Sequence, residues 1–139
     1  MIFEQDPDDP NWWTDNDCLF GQWESIELTV QTTGEAPDDD MISELTAIAN
    51  DSQKYIIAAA ELILENYSYE HFRSLGVDAL LLVEETVDDV ANAATLTSVF
   101  VTDPHKKTFE MSFAVPWDPY HSFDVEFENG DAETCTVNG

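Results

Sequence analysis

The chain has 139 residues, of which 43% are hydrophobic and 12% aromatic, which is enough for one packed core and too little for two. Thirty acidic residues stand against four basic ones, so the formal net charge is −26. We therefore expect neither nucleic-acid binding nor attachment to an anionic membrane surface, because both need Lys and Arg to meet phosphates.

The first segment, residues 1–17, is predicted to be an irregular acidic arm ahead of a single domain at residues 18–139. It holds Pro7, Pro10 and six acids. The adjacent Trp12 and Trp13 either fold back onto the domain or face a partner. The segment has neither a basic start nor an apolar stretch, so we expect no secretory signal and a cytoplasmic protein.

A long helix is predicted in the middle of the chain, after a strand at residues 18–30 and a turn at 31–37. Asp38, Asp39 and Asp40 would open this helix, because Asp is a good N-cap and acids in the first turn suit the helix dipole. Apolar residues at helical spacing carry it to about Tyr67, with a polar gap at residues 50–53 that marks a kink or a second N-cap. Residues 70–94 are expected to be loop and short helix.

The last third of the chain is predicted to be β-structure. Strands are expected at residues 95–101, 108–115 and 123–128, each with one apolar and one polar face. Asn129-Gly130 is a strong hairpin signal and predicts a returning strand at 132–137. These elements predict an α+β two-layer domain, in which the long helix packs on an antiparallel sheet of four to five strands.

Motifs for catalysis, metal binding or a cofactor are not found in the sequence, so we expect no catalytic residue, no metal and no cofactor. The EF-hand spacing fails from Asp6, because Asn11 and Asp17 occupy its sixth and twelfth positions. Cys18 and Cys135 are expected to be free thiols, although their possible location on strands leaves a pairing open. We expect His121 to bond the backbone at a corner between two strands.

Residues 113–130 resemble the closing motif of several small, uncharacterised bacterial α+β domain families. In those families a strand ends in Trp-Asp-x-Glu-His-Gly and a further strand follows. The positions that match here are Trp117, Asp118 and His121. The positions that depart from the pattern are Tyr120, in place of Glu, and Ser122 and Asp124, each in place of Gly. Some of these families are similar to immunity proteins of toxin systems, so the resemblance implies an inhibitor.

Charge and resemblance together predict a small acidic binding protein, an immunity-type inhibitor that occupies the cleft of a basic toxin or effector. The alternatives are a DNA-mimic or anti-restriction inhibitor, and a non-catalytic housekeeping domain with a halophile-like acidic surface. The partner is expected to be a basic protein, and the oligomeric state is left open. The residues expected to bind it are Asp8, Asp9, Trp12, Trp13, Asp15, Asp38, Asp39 and Asp40.

Overall fold

A computed structural model describes residues 1–76, 81–82 and 84–139 of the chain. Over these residues the fold is α+β, with 42% of them in strands and 29% in helices. The strands of the described residues are β1 (Glu4–Gln5), β2 (Trp12–Phe20), β3 (Trp23–Gln31), β4 (Thr95–Asp103), β5 (Thr108–Val115), β6 (Asp118–Glu128) and β7 (Asp131–Asn138). The helices are α1 (Asp39–Asn50), α2 (Ser52–Glu65), α3 (Tyr69–Ser74) and α4 (Val87–Ala93).

The strands form one seven-stranded sheet whose spatial order is the order of the sequence. Every neighbouring pair is antiparallel except β3 and β4, which are parallel and register Leu28 against Val99. Parallel neighbours need a crossover, and the four helices that the structure describes lie in the connection between these two strands. The predicted sheet of four to five antiparallel strands is therefore wrong in both size and pairing.

The first difference between the predicted and the observed fold is in residues 1–17, where an irregular arm was expected and strand residues are found. Strand β2 runs across the boundary expected between residues 17 and 18, and it registers Trp13 against Val30 of β3. The alternation of apolar and polar residues that indicates a strand is not visible in β2, because the polar Asp15 occupies one of its buried positions. Asp15 is 9% exposed, and its carboxylate accepts hydrogen bonds from the backbone N–H groups of Ile2 and Asp17 at 3.1 and 3.0 Å. These bonds offset the cost of burying the carboxylate.

The second difference is that the predicted long helix is two helices, although the break at Asp51 falls within the predicted polar gap at residues 50–53. The backbone there turns to φ −93° and ψ 12°, and its N–H caps the end of α1 by donating to Ala47 O and Ile48 O. Helix α2 starts at Ser52, which is 4% exposed. The junction lies over Gly21 in the β2–β3 turn. A Cβ at Gly21 would come within 2.6 Å of Ala49 O and closer still to Ser52 Oγ.

One face of the sheet and the helices enclose a single core. Tyr55 of α2 packs edge-on against Phe109 and Phe127, whose rings stack with centroids 4.7 Å apart. Side chains alternate along a strand. The residues next to these phenylalanines in sequence, Glu110 on β5 and Glu126 on β6, therefore project from the opposite face of the sheet. We call that opposite side the open face, because no helix of the described chain packs on it.

The short helices in the predicted 70–94 region are capped by hydroxyl side chains. Ser68 Oγ accepts from His71 N at the start of α3, and Thr86 Oγ1 accepts from Asp89 N at the start of α4. Residues 77–80 and 83 of that region lie outside the described residues. None of the helices that the structure describes is long and apolar enough to cross a membrane.

Candidate partner-binding surface

The strand directions bring four connections to one end of the sheet, which we call the acidic end. They are the turns and loops at residues 6–11, 32–38, 104–107 and 129–130. Backbone bonds join neighbouring connections, since Thr32 N donates to Asn11 O at 2.6 Å and Gly130 N donates to Lys107 O at 3.0 Å. Segments that are distant in sequence therefore form one continuous surface here.

Asp8 and Asp9 lie in the β1–β2 turn of the acidic end. Both of their backbone N–H groups donate to Asp6 Oδ1, at 2.7 and 3.1 Å. Asp9 Oδ1 in turn accepts from Asn11 N at 3.0 Å. The Asp8 side chain is exposed, whereas Asp6 and Asp9 are half-buried. Asp6 and Asp9 thus shape the turn, and Asp8 presents its charge to solvent.

Asp38, Asp39 and Asp40 lie at the same end of the sheet, at the start of α1. Asp38 is the N-cap, and its Oδ1 accepts from Met41 N at 2.8 Å, which confirms the predicted capping. All three aspartates are exposed. The fold therefore brings the predicted acids at residues 8–9 and 38–40 to the same end of the molecule.

The two adjacent tryptophans point to opposite faces of β2. Trp13 is half-buried and packs against the core, and its Nε1 is buried with no hydrogen-bond partner in the described residues. Trp12 lies on the open face, 39% exposed, with its ring 5.3 Å from that of Phe100. Of the pair, only Trp12 has substantial surface for a partner, and the buried Asp15 has little.

A groove of about 360 Å³ lies on the open face next to Phe100. We call it the open-face groove. Phe100 and Thr102 form one side of it, Thr108, Phe109 and Phe127 contribute further lining, and glutamates from three strands supply its charge. These glutamates are Glu110, Glu126, Glu128 and Glu133. No lysine or arginine is among its lining residues in the described chain, and Lys107 lies against Gly130.

Like charges face each other across the groove floor. Glu110 of β5 is in direct register with Glu126 of β6, and Asp124 is two residues along β6 on the same face. Burial raises the pKa of the Glu110 carboxyl above its usual value, and the charges of Asp124 and Glu126 raise it further. Like charges directly opposite each other in a sheet are destabilising, so this arrangement costs the free protein stability.

Thr102 connects the groove to the acidic end. It lines the groove, and it also lines a second hollow that is bounded by Glu35, Asp38 and Asp103. His105, in the turn next to this hollow, bonds Glu44 of α1 through Nδ1 at 2.9 Å, and this contact raises the His105 pKa. The acidic end and the open-face groove are therefore one continuous surface.

Sequence reasoning missed Phe100, Glu110 and Glu126 as members of this surface. The alternation of side chains could have indicated that these residues lie on the outer face, because each occupies the face of a predicted strand opposite the apolar core residues. Alternation assigns a residue to a face of its own strand, but it does not say which strand lies next to it. Only the pairing of β4, β5 and β6 puts the three side chains in one row.

The corner at Trp117 has a structural arrangement that differs from the expected one. Trp117 is fully buried, and its ring packs edge-on against Tyr67 at 5.1 Å. The His121 Nδ1 lies 2.7 Å from Asp118 Oδ1, so the ring bonds a buried carboxylate and not the backbone. This corner is at the end of the sheet opposite the acidic end.

The two cysteines are free, as expected. Cys18 is on β2 and Cys135 on β7, with four strands between them. At about 4.8 Å per strand they are too far apart for a disulfide, which needs Cα atoms within about 7 Å. Burial raises the pKa of both thiols, that of Cys135 to about 11, with nearby carboxylates adding to the effect. In the described chain, no group of three or more His, Cys, Asp or Glu residues is arranged to hold a metal ion.

These features define a small, strongly acidic α+β protein with one uncovered sheet face. The chain belongs to the family described as Domain of unknown function (DUF6985), whose profile matches residues 2–137. No curated protein and no solved structure matches this chain.

Proposed function

We propose that this protein is an immunity-type inhibitor, which binds a basic toxin or effector and covers its cationic cleft. The observation that carries the proposal is the continuous acidic surface formed by the acidic end and the open-face groove. It combines exposed acids at Asp8 and Asp38–Asp40 with the half-exposed ring of Trp12. Acids at a rim steer a basic partner and speed association, and aromatic anchors concentrate the binding energy.

The charge balance supports a protein partner with a positive surface. The four basic residues of this protein are Lys54, Arg73, Lys106 and Lys107, and they are spread over the helices and the β4–β5 turn. A cleft that binds nucleic acid is rich in Lys and Arg. An acidic protein seated in that cleft would block it by replacing the phosphates.

The test begins with genomic context: we expect a toxin gene immediately upstream of this gene, and its toxin domain is then co-expressed with this protein. We expect growth to be rescued, and we expect the purified proteins to associate more slowly as salt rises. Replacing Asp38, Asp39 and Asp40 by Asn should mainly reduce the association rate. Replacing Glu61 and Glu65 of α2 by Gln is the control, since both are exposed on the helical side.

Two outcomes would replace this proposal with one of its alternatives. Binding to a DNA-binding protein that duplex DNA competes away, without any rescue from the toxin, would indicate a DNA-mimic inhibitor. Folding that is lost below molar salt, with no binding to the toxin domain, would indicate a surface adapted to high salt. Deleting residues 1–14 is not a suitable test, because it removes β1 and the start of β2.

A further inference from the structure

The open face departs from an ordinary solvated sheet face at one place. Most of it carries small polar side chains, and Thr14 and Thr29 pair there at 2.9 Å. A polar outer face of that kind is normal for antiparallel strands. Next to it, however, the aromatic ring of Phe100 adjoins the opposed carboxylates of Glu110 and Glu126 in a concave site.

The carboxylate pair has little local compensation in the free protein. Thr134 Oγ1 donates to Glu126 Oε2 at 3.3 Å. Among the described residues, no hydrogen bond or salt bridge brings a cation to Glu110, and the charges that raise its pKa are the carboxylates of Asp124 and Glu126. A cation placed between Glu110 and Glu126 would turn a repulsive pair into an attractive triad. Binding of a cation here would therefore also relieve the repulsion between the two carboxylates.

We propose that the open-face groove seats an arginine side chain from an extended basic segment of the partner, held between Phe100 and the carboxylates of Glu110 and Glu126. The identity of the partner rests on the proposed function, but the groove and its preference for arginine do not. Arginine fits better than lysine for two reasons. Its planar guanidinium stacks on an aromatic ring, and its fork of N–H groups donates to two carboxylates at once.

The shape of the surface also favours an extended segment. The groove spans β4 to β7 and opens through Thr102 onto the hollow beside Asp38. A chain that leaves the groove in this direction passes the exposed acids of the acidic end. Further basic residues on the same segment would meet carboxylates there, so charge complementarity continues beyond the anchoring side chain.

The experiment uses two acetylated, amidated pentapeptides of equal charge, Gly-Lys-Arg-Lys-Gly and Gly-Lys-Lys-Lys-Gly. Each is titrated into the ¹⁵N-labelled full chain at low salt. We expect the arginine peptide to bind at least threefold more tightly and to shift the amide signals around Phe100, Glu110 and Glu126. Replacing both Glu110 and Glu126 by Gln should weaken it at least tenfold. The same charge change at Glu61 and Glu65 should weaken it less than twofold.

Phe100→Leu tests the aromatic part of the site separately. This variant keeps the charges and should lose the preference for arginine over lysine. The proposal is overturned if both double variants weaken binding equally, or if the shifts centre on the acidic end or the helices. Groove binding without rescue from the toxin would refute the proposed function alone. Rescue that is unaffected by the Glu110/Glu126 double variant would refute the groove as the contact.

Discussion

Trp12 on β2 and Phe100 on β4 meet edge-on across the intervening strand β3, with ring centroids 5.3 Å apart and an interplanar angle of 75°. The contact holds an otherwise exposed indole in a fixed position beside the open-face groove. It also ties the first residues of β2 to the centre of the sheet. Trp13, the next residue, contributes to the core on the other face.

The first prediction compares these two tryptophans. We expect Trp12→Ala to cost about 0.5–1.5 kcal/mol of unfolding free energy for the lost aromatic pair, and a further amount for the buried part of the side chain, which is 39% exposed. Trp13→Ala should cost about 3 kcal/mol or more, as large truncations in cores do. Urea denaturation measures both. Partner binding should fall more than tenfold, about 1.4 kcal/mol, in the Trp12 variant. Equal destabilisation by the two variants would contradict this assignment.

The second prediction concerns the pH dependence of Glu110→Gln. The folded state raises the pKa of this carboxyl, so its ionisation costs folding free energy. We expect the variant to be more stable than the parent at pH 7 by about 0.2–1 kcal/mol. The advantage should shrink as pH falls through the folded pKa of Glu110, because the parent then becomes neutral there too. Thermal denaturation from pH 4 to pH 8 measures the difference.

Glu61→Gln is the matched control for that experiment. It removes the same charge from an exposed position on α2. It should relieve only the general repulsion of a chain with net charge −26. If both variants gain the same stability, the Glu110–Glu126 pair contributes nothing specific.

The third prediction concerns Gly21 in the β2–β3 turn. Its φ is +63°, and an added methyl would contact the backbone oxygen of Ala49 and the Ser52 side chain where α1 meets α2. Gly21→Ala should cost roughly 2 kcal/mol or more, from the left-handed backbone and the clash together. Gly130→Ala is the control, because its φ is +82° and the nearest atom that its added Cβ would meet is Lys107 Cδ at 3.7 Å. A smaller loss at Gly21 than at Gly130 would mean that the junction is not tightly packed.

The fourth prediction concerns the thiol of Cys135, whose pKa is raised to about 11 by burial and nearby carboxylates. At pH 8 roughly one such thiol in a thousand is ionised, against about a quarter for an unperturbed cysteine. Alkylation by iodoacetamide should therefore be more than tenfold slower in the folded chain than in urea. Fast alkylation in the folded state would contradict the burial of the Cys135 side chain. Intact mass should not change on reduction, since no disulfide is present.

The fifth prediction concerns the Trp117 corner. Trp117→Ala should cost about 3–5 kcal/mol, because the ring is fully buried against Tyr67. His121→Ala should cost less and leave partner binding nearly intact. Tyr120→Ala is the control, because that ring is 79% exposed. A loss of binding in the His121 variant at unchanged melting temperature would place a functional site at this end of the sheet.

Several elements followed from the sequence because their signals are local. β-Branched residues correctly predicted β4, and side-chain alternation correctly predicted β5 and the 123–128 part of β6, with Phe109 and Phe127 on their apolar faces. The hairpin at Asn129-Gly130 is confirmed, and both residues have positive φ, 54° and 82°. The capping role of Asp38 is confirmed as well. Each of these depends on a few neighbouring residues and their backbone preferences.

Tertiary structure alone decided the rest. Residues 12–17 joined the sheet because Ile2 N and Asp17 N compensate the buried Asp15, and no local pattern shows that compensation. The parallel pairing of β3 with β4, and the register of Glu110 with Glu126, depend on contacts between distant segments. Composition determined that the protein carries a large negative charge. Strand order determined where that charge lies, because neighbouring strands are chosen by the packing of the whole core.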